Sequence, residues 1–146
     1  EQLAYIIEDS NWKIPANALE KADMKFMNSK IYQAYGVIDN CMNERQTKIC
    51  RRNQVLYALG KIKRATFESS DIERILHKEF PKSTTGANFS VNQTLSELSN
   101  SEFGLLKKLT KANGSRFADP TYLMCLRIML EKMPDKETVV KKHLKW

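Results

Sequence analysis

The stretch SVNQTLSELSNSEFGLLKKLTKANGSRF, Ser90 to Phe117, decides how the rest of this chain is read. Val91, Leu95 and Leu98 recur at helical spacing and define a buried stripe, with Ser90 and Gln93 placed as a capping pair at its start. Past Leu98 the period changes. Leu105 to Lys111 is short and mixed, Asn113-Gly114 is the strongest two-residue hairpin signal, and Ser115 to Phe117 supplies a return strand. A helix followed by a β-hairpin is expected here.

Upstream the helical pattern continues. Val55, Leu56, Leu59 and Ile62 mark one apolar face, closed by a turn around Arg64-Ala65-Thr66. Ser70-Asp71-Ile72-Glu73 reads as a capping box opening a helix with Ile72, Ile75 and Leu76 inward, which ends before Pro81. Lys82 to Asn88 reads as a polar, Gly-containing turn. Downstream, Asp119 as cap and Pro120 in the first turn start a helix over Thr121 to Lys132. That helix is apolar nearly all round and calls for cover on several sides. Met133-Pro134 ends it, and the basic tail from Lys136 to Trp146 is expected to form one more helix.

Residues 1–50 alternate between helical and irregular patterns. Leu3, Ile6 and Ile7 form a short stripe, and Trp12, Ile14 and Pro15 an extended connector. A helix is expected from about Asn17, with Leu19 and Ala22 on one face. A second segment carries Ile31, Tyr35, Ile38 and Met42 at helical period, weakened by Gly36 within it. Three helices followed by a hairpin is the order of a winged helix-turn-helix. The expected fold is therefore mainly α with a small β-hairpin, in a single domain over 1–146. It has a helical extension at 1–50, a winged helix-turn-helix core at 51–118 and C-terminal helices at 119–146.

Composition narrows the function classes. The 146 residues are 42% hydrophobic and 28% charged, a globular balance. No apolar run reaches the length of a membrane helix, so no membrane partner is expected. The chain begins Glu1-Gln2-Leu3 with no signal pattern and reads as a piece of a longer protein. Cys41, Cys50 and Cys125 are odd in number and widely spaced, which disfavours a disulfide framework and favours a cytoplasmic location. The sequons at Asn88, Asn92 and Asn113 read as coincidences of an Asn- and Ser-rich chain.

The net charge of +7 is unevenly placed: residues 51–116 hold 12 Lys/Arg against 6 Asp/Glu, while residues 1–50 hold 6 against 7. A basic face concentrates phosphate and supplies the counterion-release part of nucleic-acid affinity. On the helix opened by Ser90, the outward residues are Ser90, Asn92, Gln93, Ser96 and Glu97. Asn and Gln can bridge adenine edges, and Ser can bond bases or phosphates. The cations lie on the flanks instead: Arg51, Arg52, Lys61, Lys63, Arg64, Lys82, and the hairpin's Lys107, Lys108, Lys111 and Arg116. That distribution favours phosphate contacts over base reading.

Catalysis has no support in the residues. His77 and His143 sit in no recognisable motif, and the cysteines have apolar neighbours, where they behave as small hydrophobes. No cofactor or metal site is expected, since close Cys/His ligand spacing is missing. Lys82-Ser83-Thr84-Thr85-Gly86 lacks the order of a phosphate loop and reads as a turn.

The run Asn113-Gly114-Ser115-Arg116-Phe117-Ala118-Asp119-Pro120-Thr121-Tyr122, with Leu126-Arg127 after it, resembles the wing-to-final-helix junction in C-terminal winged-helix domains of prokaryotic AAA+ and STAND-type ATPases. Ala65 to Ile72 resembles the approach to the second helix of those domains. The resemblance covers about half of the chain. It implies an ATPase domain upstream of Glu1, and a domain that touches DNA, packs on the ATPase core, or binds partner proteins. Two expectations follow. The first is a non-catalytic module binding duplex DNA through phosphates, using Ser90, Asn92, Gln93, Ser96, Lys82, Lys107, Lys108, Lys111 and Arg116. The second is a protein-interaction or autoregulatory module, favoured by Glu97 and the missing arginine on its helix.

Overall fold

The computed structural model describes residues 17–43, 50–133 and 137–142. The chain is mainly helical with small antiparallel sheets, and it divides into two compact units, Glu1–Ala34 and Tyr35–Trp146. Among the described residues no helix is long and apolar enough to cross a membrane. The Leu3–Ile7 stripe, the Trp12–Pro15 connector, His143 and the last residues of the tail lie outside the described residues.

In the first unit the described residues form the start of α1 (Ala18–Cys41). The helix expected from about Asn17 and the segment carrying Ile31 to Met42 are one continuous helix that runs through Gly36. A lone glycine costs a helix only about 1 kcal/mol relative to alanine, and the neighbouring residues propagate through it. The inward residues are Ala18 and Ala22, while Leu19 is 69% exposed, so the expected pairing of Leu19 with Ala22 is corrected.

The second unit takes in α1 from Tyr35, where Ile38 and Cys41 are fully buried. Its centre is α2 (Arg51–Gly60), in which Asn53, Gln54, Val55, Leu56, Ala58, Leu59 and Gly60 are all buried. Asn53 ties α2 to the end of α1: its amide donates to Asn43 O at 3.1 Å and its Oδ1 accepts from Asn43 N–H at 2.9 Å. Around α2 pack α3 (Ser69–Glu79), α5 (Val91–Leu98) and α6 (Pro120–Met129). The short α4 (Pro81–Thr84) occupies what reads in sequence as a plain turn, because Pro81 fixes a helical φ at its first position.

The cap of α3 lies two residues earlier than Ser70-Glu73 implies. Glu68 is the N-cap, and Asp71 accepts its backbone N–H at 2.9 Å. The strand β1 (Thr66–Phe67) ends one residue before the helix, so Glu68 passes directly from strand to cap. β1 pairs with β3 (Ser115–Phe117), which also pairs with β2 (Leu106–Lys108), giving an antiparallel sheet of order β1-β3-β2. Phe67 and Phe117 meet across it with ring centroids 5.8 Å apart.

The connection from β2 to β3 is wider than a two-residue turn, closing with Leu109 N–H on Gly114 O at 3.1 Å. Gly114 is required by contact as well as conformation. Its φ is +124°, and a Cβ there would stand 2.9 Å from the carbonyl oxygen of Phe67.

The expected C-terminal helices become a helix and a hairpin. α6 starts as read, with Asp119 accepting Thr121 N–H at 2.9 Å, but it stops at Met129. β4 (Leu130–Met133) then pairs antiparallel with β5 (Thr138–Lys141), where the β-branched run Thr138-Val139-Val140 favours a strand. Among the described residues α6 packs mainly on α2 and β3, and its Met124 and Ile128 are exposed.

Glu137 locks this hairpin to α4. Its backbone is left-handed (φ +50°), its side chain is buried, and its carboxylate accepts Lys82 N–H at 2.9 Å and Ser83 N–H at 2.8 Å. Gln54, also buried, donates to Glu137 O at 2.9 Å and to Ser83 Oγ at 3.1 Å, and Arg51 completes the knot through Gln54 Oε1 and Ser83 O. Burial pushes the Glu137 carboxyl up, but the two backbone N–H groups, the Ser83 hydroxyl and the Lys82 charge outweigh it, holding it below the usual carboxylate range.

Candidate functional site

α5 presents its polar face because its apolar stripe is spent inward. Val91, Leu95 and Leu98 are buried against α3 and α2, each contributing about 1.5–3 kcal/mol by leaving water. Ser90 caps the helix by accepting Asn92 N–H at 3.3 Å. Asn92, Gln93 and Ser96 remain exposed.

The β2–β3 hairpin stands beside this face, and between them lies a cleft of about 460 Å³. Its lining includes Asn92, Ser96, Lys108 and Asn113, with Glu68 and Ser69 from the start of α3. Lys108 Nζ donates to Ser96 Oγ at 2.9 Å, bridging hairpin and helix. Thus a cation stands against α5 although α5 itself has none.

The register sorts the hairpin's cations onto two faces. Lys108 pairs with Ser115, and Lys107 pairs directly with Arg116. Because side chains alternate along a strand, Lys108 faces the cleft while Lys107 and Arg116 share the outer face. Two like charges placed opposite each other are unfavourable, and a phosphate lying across them would relieve that repulsion. Lys111 is exposed in the connecting loop.

Glu97, which counts against anion binding in the sequence, is partly neutralised. Arg52 from α2 stands 3.7 Å from its carboxylate and Gln93 Nε2 donates to it at 3.3 Å. Arg52 also lies over the Phe103 ring at 5.2 Å. Sequence patterning shows Arg52 only as one of several flanking cations, because nothing in its spacing reveals that α2 reaches α5 here.

The structure therefore brings Asn92, Ser96 and Lys108 together, with Ser90 and Gln93 on the same helix and Lys107, Lys111 and Arg116 on the same hairpin. Lys82 stands apart: it lies on α4, and its backbone is engaged by Glu137. Glu68, Ser69 and Asn113 also line the cleft, and nothing in their residue type or spacing signals it.

Among the described residues no three His, Cys, Asp or Glu side chains gather as a metal site. His77 is exposed, with its ring 5.6 Å from that of Phe89. Burial pushes the Cys41 thiol up to about 11 against the smaller opposing pull of Arg52, and it raises Cys125 as well.

Compared with known protein families, curated proteins and solved structures, the chain matches none of them.

Proposed function

We propose that residues 51–118 form a winged helix-turn-helix that binds duplex DNA chiefly through its phosphates, as a non-catalytic module of a larger cytoplasmic protein. In this reading α5 lies along the major groove and the β2–β3 hairpin is the wing. The observation that carries it is the cleft where Lys108 reaches Ser96, flanked by the Lys107–Arg116 pair on the outer face of the hairpin. The sheet order β1-β3-β2 and the placement of α2, α3 and α5 support the fold assignment.

The division of labour follows from side-chain chemistry. Asn92, Gln93 and Ser96 offer donors and acceptors suited to base edges. Lys107, Lys108, Lys111 and Arg116 offer only positive charge and donors, so they hold the backbone and set the register. With no arginine on α5, sequence discrimination is expected to be modest. Fluorescence anisotropy with a labelled duplex tests the reading: affinity should fall steeply with salt, with a log–log slope of about −0.9 for each phosphate neutralised. Lack of binding at low salt would remove it.

One observation favours docking on protein instead. Met124 and Ile128 on α6 and Met133 on β4 are each about two-fifths exposed, at 39%, 42% and 42%. The resemblance of the Asn113–Tyr122 junction to C-terminal domains of AAA+ and STAND-type ATPases makes an ATPase core the natural partner in this second reading. It predicts that the isolated domain binds such an upstream region in trans, and that Met124→Asp abolishes the association while sparing DNA.

A further inference from the structure

A second basic cleft, separate from the α5 surface, shares no residue with it. It has a volume of about 740 Å³ and is walled by the end of α2, the end of α6 and β4. That volume lies within the range of small-molecule sites, about 300–1,000 Å³. Its floor is apolar and close-packed: Gly60 lets α2 approach α6, where a Cβ would stand 3.4 Å from Leu126 Cβ. Tyr57 supplies an aromatic wall and Leu126 and Leu130 an aliphatic one.

The rim is cationic. Lys61, Lys63, Arg127, Lys132 and Lys142 line the cleft against a single acid, Glu131. These charges are not equivalent. Lys132 is committed, bonded to both Glu79 O and Glu79 Oε2 at 2.9 Å. Arg127 donates to Gly60 O at 2.8 Å and Ile62 O at 2.6 Å, which satisfies the carbonyls at the end of α2 without cancelling its charge. Two of its five N–H groups are spent in this way, leaving part of its fork for a ligand. Lys61 lies over the Tyr57 ring at 5.1 Å. Lys63 and Lys142 have no ion pair among the described residues, and Lys142 is anchored by its backbone N–H on Met129 O.

We infer that this cleft is a binding site for a small phosphate-bearing molecule with a planar body, its phosphates held by Lys63, Lys142 and Arg127 and its ring placed against Tyr57 and Leu130. Helix-dipole complementation accounts for a cation or two at the end of α2. It does not account for Lys142, which arrives from the far end of β5, nor for the apolar floor beneath the charges.

Isothermal titration calorimetry with inorganic pyrophosphate and with ADP tests the inference on the whole chain. Saturable binding of pyrophosphate is expected, with ADP tighter because its ring gains the Tyr57 wall. K63A/K142A, both exposed side chains, should weaken both ligands about tenfold, since each lost charge-assisted hydrogen bond is a large part of so small an interaction. Y57L should narrow the gap between ADP and pyrophosphate. K107A/K108A on the hairpin should leave both affinities unchanged, which separates this site from the proposed DNA surface. The inference is overturned if pyrophosphate shows no saturable binding up to about 5 mM, a range where even weak sites are detected. It is equally overturned if K63A/K142A lowers affinity for duplex DNA and leaves pyrophosphate untouched, because the cleft would then belong to the nucleic-acid path.

Discussion

Lys108 Nζ lies 2.9 Å from Ser96 Oγ, so the hairpin and the exposed face of α5 are joined by one hydrogen bond. Lys108→Ala should weaken DNA binding several-fold and flatten the salt slope by about 1, the share of one phosphate contact. Ser96→Ala removes the partner and leaves the charge, so it should keep the slope. The bond is exposed, and either variant should stay within about 0.5 kcal/mol of the parent in stability. Anisotropy across a salt series, paired with urea melts, checks both statements.

Glu137 offers a stability prediction of opposite character. Glu137→Gln should destabilise the second unit by about 2 kcal/mol, because the two backbone N–H groups of α4 lose a charged acceptor in a buried place. Glu137→Gly relieves the left-handed backbone but discards the carboxylate, so it should also be destabilised. The pH dependence has a definite sign. The folded carboxyl is held below its ordinary range, so its stabilisation is present above the unfolded pKa of about 4.3 and fades as pH falls through the lower folded value. Urea midpoints at pH 7 and pH 3 should therefore differ more for the parent than for Glu137→Gln.

Two glycines should respond in opposite directions. Gly114→Ala meets both a positive φ and the Phe67 carbonyl at 2.9 Å, and should cost about 1–3 kcal/mol and loosen the hairpin. Gly36→Ala lies inside α1 with no atom within 4 Å of the new methyl, and should stabilise by about 0.5–1 kcal/mol. Thermal melts of the two variants separate these outcomes.

The cysteines should alkylate in order of exposure. Cys50 is half-buried, whereas Cys41 and Cys125 are buried with thiols pushed upward. Iodoacetamide at neutral pH followed by mass mapping should find Cys50 modified first. Cys41 reacting as fast as Cys50 would contradict the burial of Cys41 within the second unit.

Much of the second unit is legible in the chain because its signals are local. Val91, Leu95 and Leu98 declare a helix with one buried face, and Asp119-Pro120 fixes where α6 begins. What escaped depends on distant partners. The cap of α3 falls at Glu68, directly after β1, whose partner β3 lies nearly fifty positions on in sequence. β4 reads as the last turn of a helix because Leu130 extends the apolar run of α6, and only pairing with β5 draws Leu130 to Met133 into a strand. The exposed Leu19 shows the same limit, since an apolar residue at helical spacing does not say which face is covered. In the candidate site, the polar face of α5 and the hairpin cations were visible as residue types. The Arg52–Glu97 pair and the Lys108–Ser96 bridge were not, since each joins elements whose approach is set by the core.

The central claim is that the hairpin and α5 together hold DNA through its phosphates, and the salt dependence of duplex binding tests it most directly. The account predicts binding whose log–log salt slope becomes less steep by about 2–3 in the triple variant K107A/K108A/R116A, with its fold intact by circular dichroism. A parent protein that does not bind duplex DNA at low salt, or a triple variant with an unchanged slope, would contradict it.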